Sequence, residues 1–226
     1  MFTESNDHLP IALQNIFNPA HLEKDYDQLV MLAKNFSSTH SVTQEMVEHL
    51  AKITCDQSKS KSWFRFRAGR ITASRFKQAV CTNPDQPSLS LLKNICYPEI
   101  NKFTTAATEW GCEHEMIGIQ AYQTHMISHE EFVITKSGLH ISLDHPFLGA
   151  SPDALIECKC CGKGVVEIKC PYNCRDRSLD DVARKSFCLK KLSDGTLRLK
   201  HDHSYYYQCQ MQIFATKREF CDCSLD

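Results

Sequence analysis

The stretch from Gly149 to Tyr172 constrains the fold more than any other part of the chain. It reads Gly-Ala-Ser-Pro-Asp-Ala-Leu-Ile-Glu-Cys-Lys-Cys-Cys-Gly-Lys-Gly-Val-Val-Glu-Ile-Lys-Cys-Pro-Tyr. Val165-Val166-Glu167-Ile168-Lys169 is β-branched and too apolar for a surface loop, so it reads as a strand. Asp153 opens a second apolar run, Ala154-Leu155-Ile156, and Gly162 and Gly164 mark the turn between the two. The pair is therefore predicted to be a β-hairpin. Alternate residues of a strand share a face, so Glu167 and Lys169 point the same way. A pairing that sets Asp153 opposite Lys169 brings Asp153 to that face, and a slip of one residue sends it to the other. Two carboxylates and a lysine, ionised and half-buried together, cost stability unless something occupies the space between them. Hard carboxylate oxygens suit magnesium or manganese. The competing reading is a structural hairpin with one cross-strand ion pair.

The 226 residues suffice for one α/β domain with a sizeable core and a small helical addition. A hydrophobic fraction of 42% and a charged fraction of 23% are those of a soluble globular protein, and no run of about 18 apolar residues exists to span a membrane. The net charge of -1 does not mark a nucleic-acid binder, so any DNA contact has to come from local clustering. The start lacks the basic and apolar regions of a signal peptide. With an odd count of 13 cysteines, this places the chain inside the cell, in nucleus or cytoplasm and not secreted, with reduced thiols. Cys158 and Cys161 have C-x2-C spacing, with Cys170 and Cys174 further on. The strand between Val165 and Cys170 separates its ends by roughly 16 Å, too far for four sulfurs each about 2.3 Å from one zinc. One pair recruiting other ligands, such as Cys221 and Cys223, stays open, but the expectation is that the cysteines form no metal cluster.

Upstream, Leu22, Tyr26, Leu29, Val30 and Ala33 predict a helix from His21 to about Phe36. Ser41 and Gln44 suggest a capping box ahead of a second helix carrying Val42, Met46, Val47, Leu50 and Ile53. A polar linker, Asp56 to Ser62, follows. From Lys59 to Lys77 there are seven Lys and Arg and no Asp or Glu, with aromatics interleaved. Guanidinium forks such as Arg67 and Arg70, with hydroxyls near a helix beginning at Thr72 or Ser74, suit phosphate recognition. A solvated basic face is the alternative. Further helices are predicted at Ser88–Cys96, Thr104 to about Met126, near Ser178–Lys185 and at His203–Thr216. In the long one, Ala107, Trp110, Ile117 and Ala121 form an apolar stripe. Glu115 shares another face with Gly111, Gly118 and Tyr122, and Glu113 lies about 200° round from it. Strands are predicted at Phe132–Lys136, Leu139–Leu143 and Glu219–Ser224. Tyr205, Gln208 and Gln212 share one face of the last helix.

The Pro152-Asp153…Glu167-x-Lys169 pattern resembles the PD-(D/E)XK nucleases. Ser-Pro-Asp-Ala-Leu and Glu-Ile-Lys-Cys-Pro-Tyr resemble more narrowly the phage lambda exonuclease and YqaJ-type viral recombinase family. Three further segments follow in family order: Trp63-x3-Arg67-x-Gly-x-Ile-Thr-Ala-Ser74, Trp110-Gly…Glu115, and Tyr205-x-x-Gln208-x-Gln. Ala154 departs from the family's usual Gly, which restricts the backbone there. The resemblance implies that Arg67, Ser74 and Ser151 hold a terminal 5′ phosphate. It implies that Glu115 supports a metal site, and that Gln208 bonds a water at the metal or a phosphate. Asp144, near the position of a family carboxylate, becomes a further candidate ligand.

The expected fold is α/β, a mixed central β-sheet flanked by helices in a restriction-endonuclease-like core. Residues 1–58 are read as a helical N-terminal extension and 59–226 as the nuclease domain. The expected activity is a magnesium- or manganese-dependent exonuclease digesting double-stranded DNA from a 5′-phosphorylated end. Asp153, Glu167 and the Ile168 backbone carbonyl would hold the metal, Lys169 would assist, and Glu115 and Gln208 would orient the site. A structure-specific endonuclease, or a DNA-binding or interaction module that keeps the fold, are the alternatives. Double-stranded DNA is the expected partner, self-association and a protein partner on the N-terminal helices are left open, and no membrane is expected.

Overall fold

The computed structural model of the protein describes residues 8–100, 105–175 and 187–225. In chain order the helices are α1 (Tyr26–Thr39), α2 (Gln44–Ile53), α3 (Lys61–Arg67), α4 (Phe76–Cys81), α5 (Leu89–Cys96), α6 (Ala106–His125) and a C-terminal helix, Ser204–Thr216. The strands are β1 (Ile71–Thr72), β2 (Val133–Lys136), β3 (His140–Ile141), β4 (Leu148–Ala150), β5 (Ala154–Cys158), β6 (Gly162–Lys169), β7 (Leu189–Lys191), β8 (Leu197–Leu199) and β9 (Phe220–Leu225). The helix expected near Ser178–Lys185 lies outside the described residues. Among the described residues no helix is long and apolar enough to cross a membrane.

The expected hairpin is β5 and β6, paired antiparallel and closed by Lys159, Cys160 and Cys161. Gly162 takes φ +85°, the left-handed conformation that ends a short hairpin loop of this length. Gly164 belongs to the strand instead of the turn. A Cβ there would collide with the Phe220 ring, so its absence lets β9 lie against β6. The ladder pairs Ala154 with Val166 and Ile156 with Gly164, and its continuation sets Asp153 opposite Glu167, not Lys169. The difference is two residues, which keeps Asp153 on the expected face because side chains alternate with period two. Ala154 sits buried in extended strand, a conformation that tolerates its Cβ.

The main sheet runs β2-β5-β6-β9, with β6 and β9 parallel and the other pairs antiparallel. The sheet is therefore mixed, as expected. A smaller sheet runs β1-β4-β3, and β7 pairs with β8. Ala154, Ile156, Val166 and Ile168 pack against Tyr122 and Met126, so α6 covers that face. The C-terminal helix reaches the other, where Gln208 and Gln212 bond Glu167. The face of α6 turned inward is not the predicted stripe: Gly118 and Tyr122 are its buried residues, while Ile117 is 53% exposed. The Tyr122 hydroxyl donates to Asp222 of β9 at 2.6 Å, which fixes that rotation. Gly111, on the same face, has open space where a Cβ would stand.

Near the N-terminus, α1 begins at Tyr26 because Asp25 and Gln28 form a reciprocal capping box. Thr43, not Ser41, caps α2 by accepting from the Met46 N–H at 3.2 Å. Val42, Val47 and Leu50 form one apolar cluster with Phe66, Leu139 and Ile141. Part of the expected polar linker is helix α3, whose buried residues are Phe64 and Phe66.

Candidate active site

Asp153 immediately precedes β5. Its N–H donates to the Val166 carbonyl at 3.1 Å, and its Oδ2 accepts the Ile168 N–H at 2.7 Å. The carboxylate is thus locked to β6 beside Glu167. Gln57 anchors the preceding residues from outside, donating to the carbonyls of Pro152 at 2.9 Å and Ser137 at 3.0 Å. Glu167 is only 2% exposed. One of its oxygens accepts from Lys169 Nζ and Gln208 Nε2, and the other from Gln212 Nε2. A buried carboxylate with donors on both oxygens is held in one orientation. The Ile168 carbonyl lies between Glu167 and Lys169 along the strand. Lys169 Nζ also stands 5.0 Å from the centre of the Tyr205 ring.

Glu115 approaches from α6. Burial and then Glu167 raise its pKa, while Lys169 and Lys59 oppose the shift. Asp153 is raised well above the carboxylate range by burial first, then by Glu167 and Glu115, against the Ile168 N–H and Lys169. For Lys169, burial alone would lower the pKa, but the Glu167 carboxylate holds it above the ordinary lysine range. The centre therefore carries three mutually repelling carboxylates against one half-buried lysine, with Lys59 at its margin. Oxygen donors with an excess of negative charge fit a divalent cation such as magnesium or manganese. A cleft of about 350 Å3, lined by Lys59, Glu115 and Asp153 among others, opens onto this centre.

A second group adjoins it through Ser151, two residues before Asp153. The Trp63 indole N–H donates to Ser151 Oγ at 2.9 Å, and the Arg67 guanidinium lies 3.8 Å from the Trp63 ring centre. Arg67 also donates to Thr72 Oγ1 at 3.3 Å. Its Nε is buried with no hydrogen-bond partner among the described residues. Burial first, then Arg75, depresses its pKa to about 10. A buried guanidinium with a spare donor is costly until an acceptor arrives, and a phosphate oxygen is such an acceptor. Ser74 is exposed in the 3-10 turn Ala73–Arg75 that leads into α4.

Two expected site residues stand elsewhere. Arg70 is 1% exposed and its guanidinium donates to the carbonyls of Pro146, Phe66 and Ile11 at 2.7–2.9 Å. It ties three segments together and has no path to a DNA phosphate, because it is buried with each of its three nitrogens bonded to a backbone carbonyl. Asp144 is exposed and paired with Lys217 at 3.1 Å, and it is not among the charges that perturb Asp153. Conversely, Gln212 reads equally well as a polar surface residue, yet it is fully buried against Glu167. The signal was its place one turn beyond Gln208 on the same face. Glu113 is exposed on α6, as its angular position implied.

The far end of the hairpin gathers four potential ligand groups that the spacing argument did not consider. Ligand atoms of His129, Cys158, Cys160 and Cys161 all lie within 4.8 Å of one another. Strand β6 does separate Cys161 from Cys170, and the groups that stand beside Cys158 and Cys161 are Cys160 and His129 instead. Cys221 is not recruited; its thiol donates to Gln212 Oε1 at 3.6 Å.

A family model, the YqaJ-like viral recombinase domain, matches residues 62–219. The chain is similar to uncharacterized protein R354 of Acanthamoeba polyphaga mimivirus, 24% identical over 187 residues, covering 78% of this chain and 31% of that protein. It thus spans about a third of the length of that curated relative. Among solved structures it is similar to the alkaline exonuclease LHK-Exo from Laribacter hongkongensis, with TM-score 0.52 and 23% identity, covering 74% of this chain and 73% of that one. The structure of LHK-Exo in complex with dAMP matches with TM-score 0.52 and 24% identity over the same shares. The likeness to these structures is one of fold.

Proposed function

The chain belongs to the YqaJ-like viral recombinase domain family, and on that premise we propose that it is a metal-dependent exonuclease digesting double-stranded DNA from a 5′-phosphorylated end. One observation carries the reading. A centre of Asp153, Glu167 and Glu115 with Lys169 is joined through Ser151-Pro152-Asp153 to the stacked Arg67–Trp63 pair. Two residues of extended chain span roughly 7 Å, so a phosphate at Ser151 and a scissile bond near Asp153 fall within one DNA terminus. The fold neighbour's description as an alkaline exonuclease, and its complex with dAMP, agree with this reading.

Asp153, Glu167 and the Ile168 carbonyl would hold magnesium or manganese, which when bound supplies Lewis acidity and neutralises charge at the scissile phosphate. The chain's own groups do the rest. Gln208 and Gln212 fix the Glu167 carboxylate so that it need not reorient during the reaction. Lys169, kept protonated by Glu167, orients the attacking water and places positive charge where the phosphate oxygens gain negative charge. Glu115 keeps a proton-accepting oxygen at the rim of the cleft. Arg67 and Ser151, together with Ser74, hold the terminal phosphate and so set the register of the duplex.

The test uses end-labelled duplexes with and without a 5′ phosphate, beside a closed circle, in magnesium. The proposal expects shortening from the phosphorylated end, slower attack on the hydroxyl end and an intact circle. Efficient cutting of the circle would move the assignment to an endonuclease. Tight DNA binding with no cleavage in magnesium or manganese would leave a binding module.

A further inference from the structure

We propose that His129, Cys158, Cys160 and Cys161 bind one structural zinc ion that staples the tip of the β5–β6 hairpin to the segment following α6. Cys158 Sγ stands 3.5 Å from Cys160 Sγ, and Cys160 Sγ stands 3.7 Å from Cys161 Sγ. His129 Nδ1 stands 3.8, 3.3 and 3.4 Å from the sulfurs of Cys158, Cys160 and Cys161 respectively. A tetrahedron with Zn–S of about 2.3 Å and Zn–N of about 2.0–2.1 Å has edges of about 3.8 Å between sulfurs and about 3.6 Å from sulfur to nitrogen. Five of the six separations among the four ligand atoms sit near those spacings, and the sixth, between the sulfurs of Cys158 and Cys161, is within 4.8 Å. A disulfide would draw two sulfurs to about 2.05 Å and leave the imidazole without a role. Here the imidazole is close to all three.

The positions are prepared by backbone and charge contacts that involve no metal. The three cysteines lie on the last residue of β5 and in the turn before Gly162. His129 ends the 3-10 turn Met126–Ser128 that continues α6. The Lys159 N–H donates to the Glu130 carbonyl at 2.9 Å, and Lys159 Nζ pairs with Glu130 at 3.0 Å and Glu131 at 3.4 Å. Cys158 is buried while Cys160 and Cys161 are exposed, so an ion has a route in. Three thiolates and an imidazole are soft donors of the set that selects zinc, in contrast to the oxygen donors at the other end of the same strands. The ion would tie α6, which carries Glu115, to the hairpin that carries Asp153 and Glu167. It would not touch DNA.

The full chain, purified tag-free under reducing conditions without added metal, is analysed for elements. About one zinc per chain is expected. Cys160→Ser with Cys161→Ser, and separately His129→Ala, should lose it, while Cys221→Ser should retain it. Should those variants fail to fold, two measurements on the unaltered protein decide. Mercurial titration of the thiols should release zinc, and exchange with cobalt should give the intense visible bands and thiolate charge transfer of a tetrahedral site. Substoichiometric zinc, zinc retained by the cysteine and histidine variants, weak octahedral cobalt bands, or a Cys158–Cys160 disulfide in the unreduced mass spectrum would overturn the proposal. None of these readouts uses DNA, so their failure is separate from failure of the nuclease reading.

Discussion

The two ends of the β5–β6 hairpin lie roughly 23 Å apart along β6 and pose opposite physical problems. At the base, Asp153, Glu167 and Glu115 are forced together by burial against their mutual repulsion, and two helices plus a neighbouring strand are needed to hold them. At the tip, three cysteines arrive within one turn and need only His129 from outside. The base offers hard oxygens in a buried cleft and the tip offers soft sulfurs at the surface. A single pair of strands can therefore present two cation sites without either competing for the other's ion. The base pays in stability for its charges, whereas a cation at the tip would add stability.

The largest effect should fall on the base. Glu167→Gln should reduce cleavage by about three orders of magnitude, the scale of several kcal/mol of lost charge stabilisation, while zinc content stays unchanged. Cleavage within tenfold of the parent would remove Glu167 from the chemistry. In magnesium-free buffer, Asp153→Asn should melt above the parent, because it removes a carboxylate that its neighbours disfavour. A lower melting temperature would mean that the repulsion is not felt.

Arg67→Ala should slow digestion of phosphorylated ends by about one to two orders of magnitude and barely alter unphosphorylated ones, given about 1.5–3 kcal/mol for a charged hydrogen bond. Equal loss on both ends would dissolve the link between Arg67 and the acid centre.

At the tip the order reverses. Cys160→Ser with Cys161→Ser should keep cleavage within a few-fold yet lower stability by roughly 3 kcal/mol, comparable to undoing a crosslink across a loop of that length. Denaturant midpoints beside initial rates would decide, and a loss of cleavage matching Glu167→Gln would merge the two ends into one site.

The smallest effect concerns acid, and it belongs to neither end. Burial, then Arg218, depresses His140 from 6.5 to about 4. Because the folded pKa lies below the unfolded one, this contribution is intact above about pH 6.5 and is lost as pH falls towards 4. Its loss should reach roughly 1–3 kcal/mol, and His140→Gln should flatten the fall in urea midpoint between those pH values. An unchanged slope would assign acid sensitivity elsewhere.

Much of the base was legible because strand periodicity is a local property. Glu167 and Lys169 share a face whatever the fold, and Asp153 joins them under any even register. Gln212 was ambiguous for the same reason that Gln208 was visible. A helix face is apparent from spacing, but which face turns inward depends on what packs there. The predicted stripe on α6 failed on that ground, since Tyr122 is held by Asp222, which lies a hundred residues downstream. Arg70 was misread because a basic run looks alike whether its guanidinium meets DNA or three backbone carbonyls.

The sequence alone therefore determined what can be read from neighbours along the chain: the hairpin, the face shared by its charges and the clustering of cysteines in its turn. Only the tertiary structure decided which distant groups meet those elements. It brought His129 to the turn across 29 residues, Gln212 to Glu167 across 45 and Trp63 to Ser151 across 88. The physical reason is that backbone sterics and side-chain period act over a few residues. Such long-range meetings depend on how whole sheets and helices bury their apolar faces, a condition that no single segment encodes.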